Sequence, residues 1–298
     1  MGGDVSSLAF RPPRPTYALC SDGAALRFAD AWTPQQALAQ PRSPIRLLAN
    51  RPLPPCAASG LRHEVFLLAT GASALRVTHS GGAVGARLTL LYAHGTSFDL
   101  GVLRDHVAAL AAHTGADVLA YDYRGYGAAK ADTPSETAAC EDADAALAAL
   151  LGKGVAVHAI VLYGLSLGAA PTMHLAAGSG AGAAGVILRS GFLSAWAVAL
   201  GRAGAYMPRS PFDNVARAAR VTAPVLLVHG LRDELVAVWQ AERLGELCAA
   251  AVPPLLLPER GHFDVERDPA FLPRLQHFLA HETRRGEAAA VHGEAASG

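Results

Sequence analysis

The chain is poor in several things at once, and each shortage removes a class of function. Its four cysteines, Cys20, Cys56, Cys140 and Cys248, form no C-x-x-C pair and no metal-ligand spacing. That argues against a disulfide framework, a zinc site or a dithiol redox centre and predicts free thiols in a reducing, cytosolic setting. Lysine occurs only at Lys130 and Lys153, and 25 basic residues balance 25 acidic ones. A neutral chain of this kind has no electrostatic case for binding nucleic acid. Although 51% of the residues are hydrophobic, no apolar run reaches the roughly 20 residues of a membrane span. No charged, apolar and small-residue regions follow one another as in a secretory signal peptide. Aromatic residues make up 6%. Alanine and arginine are over-used instead, which we read as GC-rich coding. Ala-rich stretches therefore count for less as helix signals.

What is present is more telling. The apolar run Ala159-Ile160-Val161-Leu162-Tyr163 is followed at once by Gly164-Leu165-Ser166-Leu167-Gly168. G-x-S-x-G between a strand and a helix is a nucleophile elbow, a tight turn with serine at its tip. A Cβ at either flanking glycine would collide with backbone. Serine is a weak nucleophile until a neighbouring base activates it, so the elbow predicts an acid and then a histidine, in that order, further along the chain. Pro224-Val225-Leu226-Leu227-Val228-His229-Gly230 reads as a strand, and Asp233 follows it. Leu255-Leu256-Leu257 reads as another, followed by Gly261-His262-Phe263-Asp264. Alone, Asp233 or its neighbour Glu234 is a helix cap and His262, one of 12 histidines, a loop residue. Together, order and placement past strand ends favour catalysis. Ser166 is then the nucleophile, His262 its base, and Asp233 the group that fixes the imidazole tautomer. A strand over Arg87 to Ala93 leads into His94-Gly95-Thr96-Ser97. The backbone N–H groups of Thr96 and Leu167 are the candidate oxyanion donors, each such donor being worth about 3 kcal/mol. This chemistry calls for no cofactor and no metal.

The remaining pattern is a βα alternation. Leading strands are predicted at His63 to Ala69 and Ala74 to His79. Further strands fall at Ala116 to Tyr121, His158 to Tyr163 and Gly185 to Leu188, with helices at Leu100 to Ala112, from the opening Thr133-Pro134-Ser135-Glu136 to Leu151, at Val238 to Ala249 and at Pro269 to His281. Such alternation implies an α/β fold with a mostly parallel central sheet and helices on both faces. Residues 1–60 read as extended and irregular, with Arg11-Pro12-Pro13-Arg14-Pro15 barred from helix and one short helix at Trp32 to Leu38. Residues 61–282 form the catalytic domain, residues 191–223 its short cap, and residues 283–298 a disordered tail. A cap this short predicts an open, shallow site, with Trp196 and Tyr206 as candidates to line an acyl groove. Asp99 is expected to cap a helix and Asp122 to fix the loop before Gly125 and Gly127 by local hydrogen bonds.

The elbow, Asp233 and His262 resemble the α/β-hydrolase superfamily. Closer likeness is to the alpha/beta-hydrolase domain-containing protein 17 family. It is carried by Leu8 through Tyr17, His94 through Gly101, Tyr121-Asp122-Tyr123-Arg124-Gly125-Tyr126-Gly127 with Pro134-Ser135-Glu136, Leu162 through Thr172, and Ser210-Pro211-Phe212-Asp213-Asn214 continuing to His262. The resemblance implies a serine hydrolase that removes palmitoyl groups from S-acylated proteins through an acyl-enzyme. Hydrolysis of lipids or small esters (carboxylesterase or lysophospholipase action) and a non-catalytic ligand-binding role are the alternatives. Two departures stand out: Thr96-Ser97 replaces the family's Asn-Ala, and the acylated N-terminal cysteine cluster of animal members is missing. Met1-Gly2-Gly3-Asp4-Val5-Ser6 instead fits the N-myristoylation pattern, with Gly2 as acceptor, as in plant-type members. The expected setting is cytoplasmic, with peripheral contact at the cytosolic membrane face.

Overall fold

The computed structural model describes residues 9–21, 26–30, 60–81, 84–85 and 87–284. Gly2, Cys56, the expected helix at Trp32 to Leu38 and residues 285–298 lie outside them. The strands are β1 Tyr17–Ser21, β2 Leu26–Asp30, β3 Leu61–Leu67, β4 Ser73–His79, β5 Thr89–Ala93, β6 Asp117–Tyr121, β7 Ile160–Leu165, β8 Gly185–Arg189, β9 Val225–Gly230 and β10 Leu255–Leu257. The helices are α1 Leu100–Thr114, α2 Glu136–Gly152, α3 Ala169–Ala176, α4 Ala195–Leu200, α5 Asn214–Ala218, α6 Trp239–Leu247 and α7 Phe271–His277.

One ten-stranded sheet runs β1-β2-β3-β4-β6-β5-β7-β8-β9-β10. Strands β6 to β10 with β5 pair in parallel, and β1 to β4 form an antiparallel arm that joins them through β4 and β6. The parallel strands are buried along nearly their whole length, as β5, β7, β8 and β9 show, because helices cover both faces. Two apolar cores result, one on each face. One gathers Leu91, Leu119, Leu147, Leu162 and Met173, the other Leu90, Val107, Val161, Ile187 and Phe278.

Helix starts follow the local chemistry. Asp99 caps α1 by accepting from Val102 N at 3.2 Å, and Ser135 caps α2 by accepting from Ala138 N at 3.1 Å, each covering an amide that lacks an intrahelical partner.

Three expectations need correction. The segment before residue 60 is not wholly irregular, since β1 and β2 extend the sheet. Both alternate, with Tyr17 and Leu19 in β1 and Leu26 and Phe28 in β2 turned inward and exposed residues between them, but five residues carry the period too briefly to stand out. The last two described residues are pinned rather than loose. Thr283 is fully buried, and Arg284 donates its N–H to Ala184 O at 2.9 Å and its guanidinium to Ala181 O and Thr222 Oγ1. Asp122 is bound to distant groups rather than to its own loop, accepting from Tyr17 Oη at 2.6 Å and Leu100 N at 3.0 Å.

Candidate active site

Register brings the loops together. Ala93 at the end of β5 pairs with Gly164 in β7, so His94 to Thr96 emerge beside the elbow. This is the crevice beyond the carboxyl ends of parallel strands, where β5 has β6 on one side and β7 on the other. The elbow's glycines are there because neighbours leave no room. A Cβ on Gly164 would lie 2.7 Å from Gly168 O, and one on Gly168 would lie 2.6 Å from Ala93 C and 2.9 Å from His94 O. Ser166 takes φ of 52° at the tip, a conformation costly for a residue with a Cβ and held by the packed turn around it.

The acid and histidine loops are joined in the same way. Leu257 in β10 pairs with Gly230 in β9, Leu231 N donates to Leu257 O at 2.9 Å, and Arg232 N donates to Arg260 O at 2.9 Å. A Cβ on Gly230 would sit 2.6 Å from Arg260 C, so glycine allows the two loops to touch. The result is a continuous chain of contacts. His262 Nδ1 lies 2.8 Å from Asp233 Oδ2, and His262 Nε2 lies 3.0 Å from Ser166 Oγ. With Nδ1–H donating to the carboxylate, Nε2 is free to accept the serine hydroxyl proton.

Asp233 is heavily supported. Its Oδ1 accepts from Leu235 N at 2.9 Å and Val236 N at 2.8 Å. Its Oδ2 is shared: His229 Nε2, which donates to Val236 O at 2.8 Å, also lies 3.2 Å from that oxygen. Burial opposes ionisation of Asp233, but hydrogen bonds from His229 and His262 outweigh it and hold the carboxyl well below its ordinary range.

Two features near the site were not recognised from sequence. One is His229, fully buried behind Asp233. The other is Arg189 at the end of β8, 1% exposed, which donates to His262 O at 3.3 Å and pairs with the buried Glu266 at 3.7 Å. His106 faces the same carboxylate at 3.5 Å. The available signal was a charged residue closing the apolar strand Gly185–Arg189 at the edge where sites form.

Ser166, His262 and Thr96 line a hollow of about 60 Å³, together with Arg189, Leu235 and Phe263. Trp196 and Tyr206 are not among its walls. Trp196 N donates to Ser210 Oγ, and Tyr206 is 89% exposed, at the end of a 3-10 turn over Gly201–Tyr206 that follows α4 and precedes α5. Leu167 follows Ser166 on the elbow, its side chain in the core. Among the described residues no group of three or more His, Cys, Asp or Glu side chains is placed to hold a metal ion, and no helix is long and apolar enough to cross a membrane.

Known proteins resemble this chain in sequence and in fold. Residues 85–210 match the family model described as "Serine aminopeptidase, S33". The chain is 36% identical over 201 residues to alpha/beta hydrolase domain-containing protein 17C of Mus musculus, an alignment that spans 67% of this chain and 62% of that protein. It is 31% identical over 283 residues to alpha/beta hydrolase domain-containing protein 17B of Xenopus laevis, spanning 94% of this chain and 92% of that one. Among solved structures, an esterase/lipase from an uncultured bacterium has a TM-score of 0.58 at 18% identity, with 82% of this chain and 99% of that chain covered. A putative dienelactone hydrolase from Klebsiella pneumoniae also scores 0.58, at 14% identity, with 74% and 98% covered. These structural likenesses concern the fold.

Proposed function

We propose that this chain, which belongs to the alpha/beta hydrolase domain-containing protein 17 family and is a serine hydrolase, removes long acyl groups, palmitoyl foremost, from S-acylated proteins. The observation that carries this reading is the unbroken relay from Asp233 Oδ2 through His262 to Ser166 Oγ, with spacings of 2.8 and 3.0 Å, opening on a hollow of only about 60 Å³. Pockets that enclose a small-molecule ligand run to about 300–1,000 Å³. A hollow this small, as the described residues bound it, accommodates the reacting carbonyl and leaves the rest of a large substrate outside.

In this reading Ser166 Oγ attacks the thioester carbonyl carbon while His262 Nε2 takes its proton. The oxyanion is held by the N–H groups of Leu167 and Thr96. The C–S bond then breaks, and His262 returns the proton to the departing cysteine sulfur. Water attacks the acyl-enzyme with His262 again as base, and the fatty acid leaves Ser166 free. Asp233 keeps the imidazole in the productive tautomer and balances the imidazolium. Myristoylation at Gly2 would bring the enzyme to the cytosolic membrane face, where acylated proteins reside. One such chain binds bilayers only weakly, with K about 10⁴ M⁻¹, so the association is reversible.

The test is labelling by a fluorophosphonate, followed by hydrolysis of a palmitoyl-thioester peptide beside a monoacylglycerol. Labelling that is lost in Ser166→Ala, with faster turnover of the thioester, is the expected result. Labelling that persists in that variant removes Ser166 from the mechanism. The small hollow also favours a second reading, a short-chain carboxylesterase, which a steep preference for acetyl over palmitoyl esters would establish instead.

A further inference from the structure

The proline-rich segment near the start of the chain has no part in the relay described above, yet it is tied to the site at several points. Arg11 N donates to Thr96 Oγ1 at 2.9 Å, and that hydroxyl donates onward to Ala9 O at 2.9 Å. Five residues later, Thr16 N donates to Asp99 Oδ2 at 2.8 Å, and the Thr16 hydroxyl donates to Asp99 Oδ1. Tyr17 reaches Asp122, whose other oxygen holds Leu100 N. Between the outer ties, Phe10 is 6% exposed and sits among Tyr123, Tyr126 and Phe212, with ring centroids 5.7–6.2 Å away. Tyr126 in turn donates its hydroxyl to Thr96 O at 3.0 Å, and Tyr123 donates to His94 O at 2.7 Å.

From these contacts we infer that residues 9–17 are a positioning strap that fixes the loop His94-Gly95-Thr96 so that the Thr96 N–H points at the developing oxyanion. The physical case is one of preorganisation. A donor in an oxyanion hole accelerates reaction only if it is aimed before charge develops, and displacement by about 1 Å can cost about 100-fold in rate. The loop after β5 is short and has to hold the Thr96 peptide without a strand to anchor it. The strap holds Thr96 directly at Oγ1, through the Ala9–Arg11 backbone, and indirectly at its carbonyl, through Tyr126, which Phe10 packs against. The prolines at 12, 13 and 15 restrict the strap's φ angles, so less conformational freedom is lost when it docks. Threonine thus has a use here that a backbone donor alone would not explain.

The inference rests on the proposed role of Thr96 as an oxyanion donor, and its test separates the two. Thr96→Val keeps shape and backbone N–H but loses the hydroxyl; Thr96→Ser keeps the hydroxyl. Steady-state hydrolysis of a p-nitrophenyl ester is measured for each, together with inhibition by an alkyl trifluoromethyl ketone, whose hemiketal with Ser166 carries an oxyanion. Thr96→Val is expected to lower kcat roughly tenfold to 100-fold with KM within about twofold, and to weaken the inhibitor by the same factor, since both report transition-state binding. Thr96→Ser should recover most of both. Tyr126→Phe, which removes only the hydroxyl on Thr96 O, should move kcat and inhibitor affinity in the same direction. If Thr96→Val is folded and retains wild-type kcat and inhibitor affinity, the strap does not position the donor and the inference is overturned. If the wild-type protein neither hydrolyses the ester nor binds the ketone, it is the underlying catalytic reading that fails.

Discussion

Replacing Asp233 by asparagine changes one oxygen to NH₂, and the surrounding donors decide which one. Oδ1 accepts two backbone N–H groups, from Leu235 and Val236. An NH₂ there would face two donors, so the amide oxygen takes the Oδ1 position and the NH₂ takes that of Oδ2. Oδ2 faces His262 Nδ1 at 2.8 Å and His229 Nε2 at 3.2 Å. The NH₂ then donates to His262 Nδ1, which has to give up its proton to accept. The proton moves to Nε2, 3.0 Å from Ser166 Oγ, and a protonated Nε2 cannot accept from the serine. The variant keeps its geometry and holds the wrong tautomer, a fault that lowers kcat by about 10⁴ in a comparable triad, or about 5.5 kcal/mol of barrier.

Two measurements check this reasoning. Stopped-flow hydrolysis of a p-nitrophenyl ester at pH 8 gives kcat, and urea unfolding shows that the variant is folded. Hydrogen bonds to a charged group are worth about 1.5–3 kcal/mol, so a stability loss of that order accompanies the kinetic one. A folded Asp233→Asn protein that keeps more than about a tenth of the wild-type kcat would refute the tautomer argument and leave Asp233 as a structural carboxylate.

Gly168→Ala puts a methyl against the backbone of Ala93 and His94; overpacking of this kind costs on the order of 1–3 kcal/mol or more, so Tm and fluorophosphonate labelling should fall together, and an unchanged Tm would contradict the close approach of β5 to the elbow. Burial, then the nearby Asp122 charge, push the Asp99 carboxyl up to about 6. A folded-state pKa above the unfolded value of about 3.9 means the native state binds more protons, so stability contributed by Asp99 is present at low pH and lost as pH rises from about 4 to 6. The difference in unfolding free energy between wild type and Asp99→Asn, measured at pH 4 and pH 7, should change by about 2 kcal/mol, and a difference independent of pH would refute it. Burial pushes the Cys140 thiol up to about 12 and that of Cys248 up to about 11, so iodoacetamide at pH 8 should leave both unmodified in native protein and alkylate both in urea, as peptide mapping would show.

The parts legible in the sequence are those encoded locally. The elbow is five consecutive residues, and its glycines are demanded by contacts within the same strand-to-helix turn and the strand beside it. The meeting of Ser166, Asp233 and His262 followed from chain order plus the rule that sites form at strand ends. What could not be read depends on partners far along the chain. Asp122 looked like a loop residue because its partner Tyr17 is 105 positions away. Arg189 lay just past the strand read over Gly185 to Leu188 and was passed over, and its burial with Glu266 follows only when β8 is flanked by β7 and β9. The margin strands β1 and β2 went unread because each offers only two large apolar residues at alternate positions, Tyr17 and Leu19 in one and Leu26 and Phe28 in the other, too short a period to stand out. Trp196 and Tyr206 fall on α4 and the 3-10 turn after it, and aromatic identity does not say which way such short elements turn their faces.

The same contrast divides the site itself. The acid side is built from neighbours: His229, Asp233, Leu235 and Val236 fall within eight positions and satisfy one another. Once β9 is in the sheet, that half is assembled by short-range bonds. The proposed oxyanion side is built from strangers, since Thr96 is held by Ala9, Arg11 and Tyr126, between 30 and 87 positions distant. Loop closure over such separations carries an entropy cost that only cooperative folding can meet, so the aim of Thr96 depends on the completed fold, whereas Asp233 depends mainly on its own turn. In the proposed mechanism a serine held at positive φ between these halves reacts only when both are in place. That is why changes far from Ser166, at Thr96 or in the strap, are the sensitive test of how this fold makes an ordinary hydroxyl into a nucleophile.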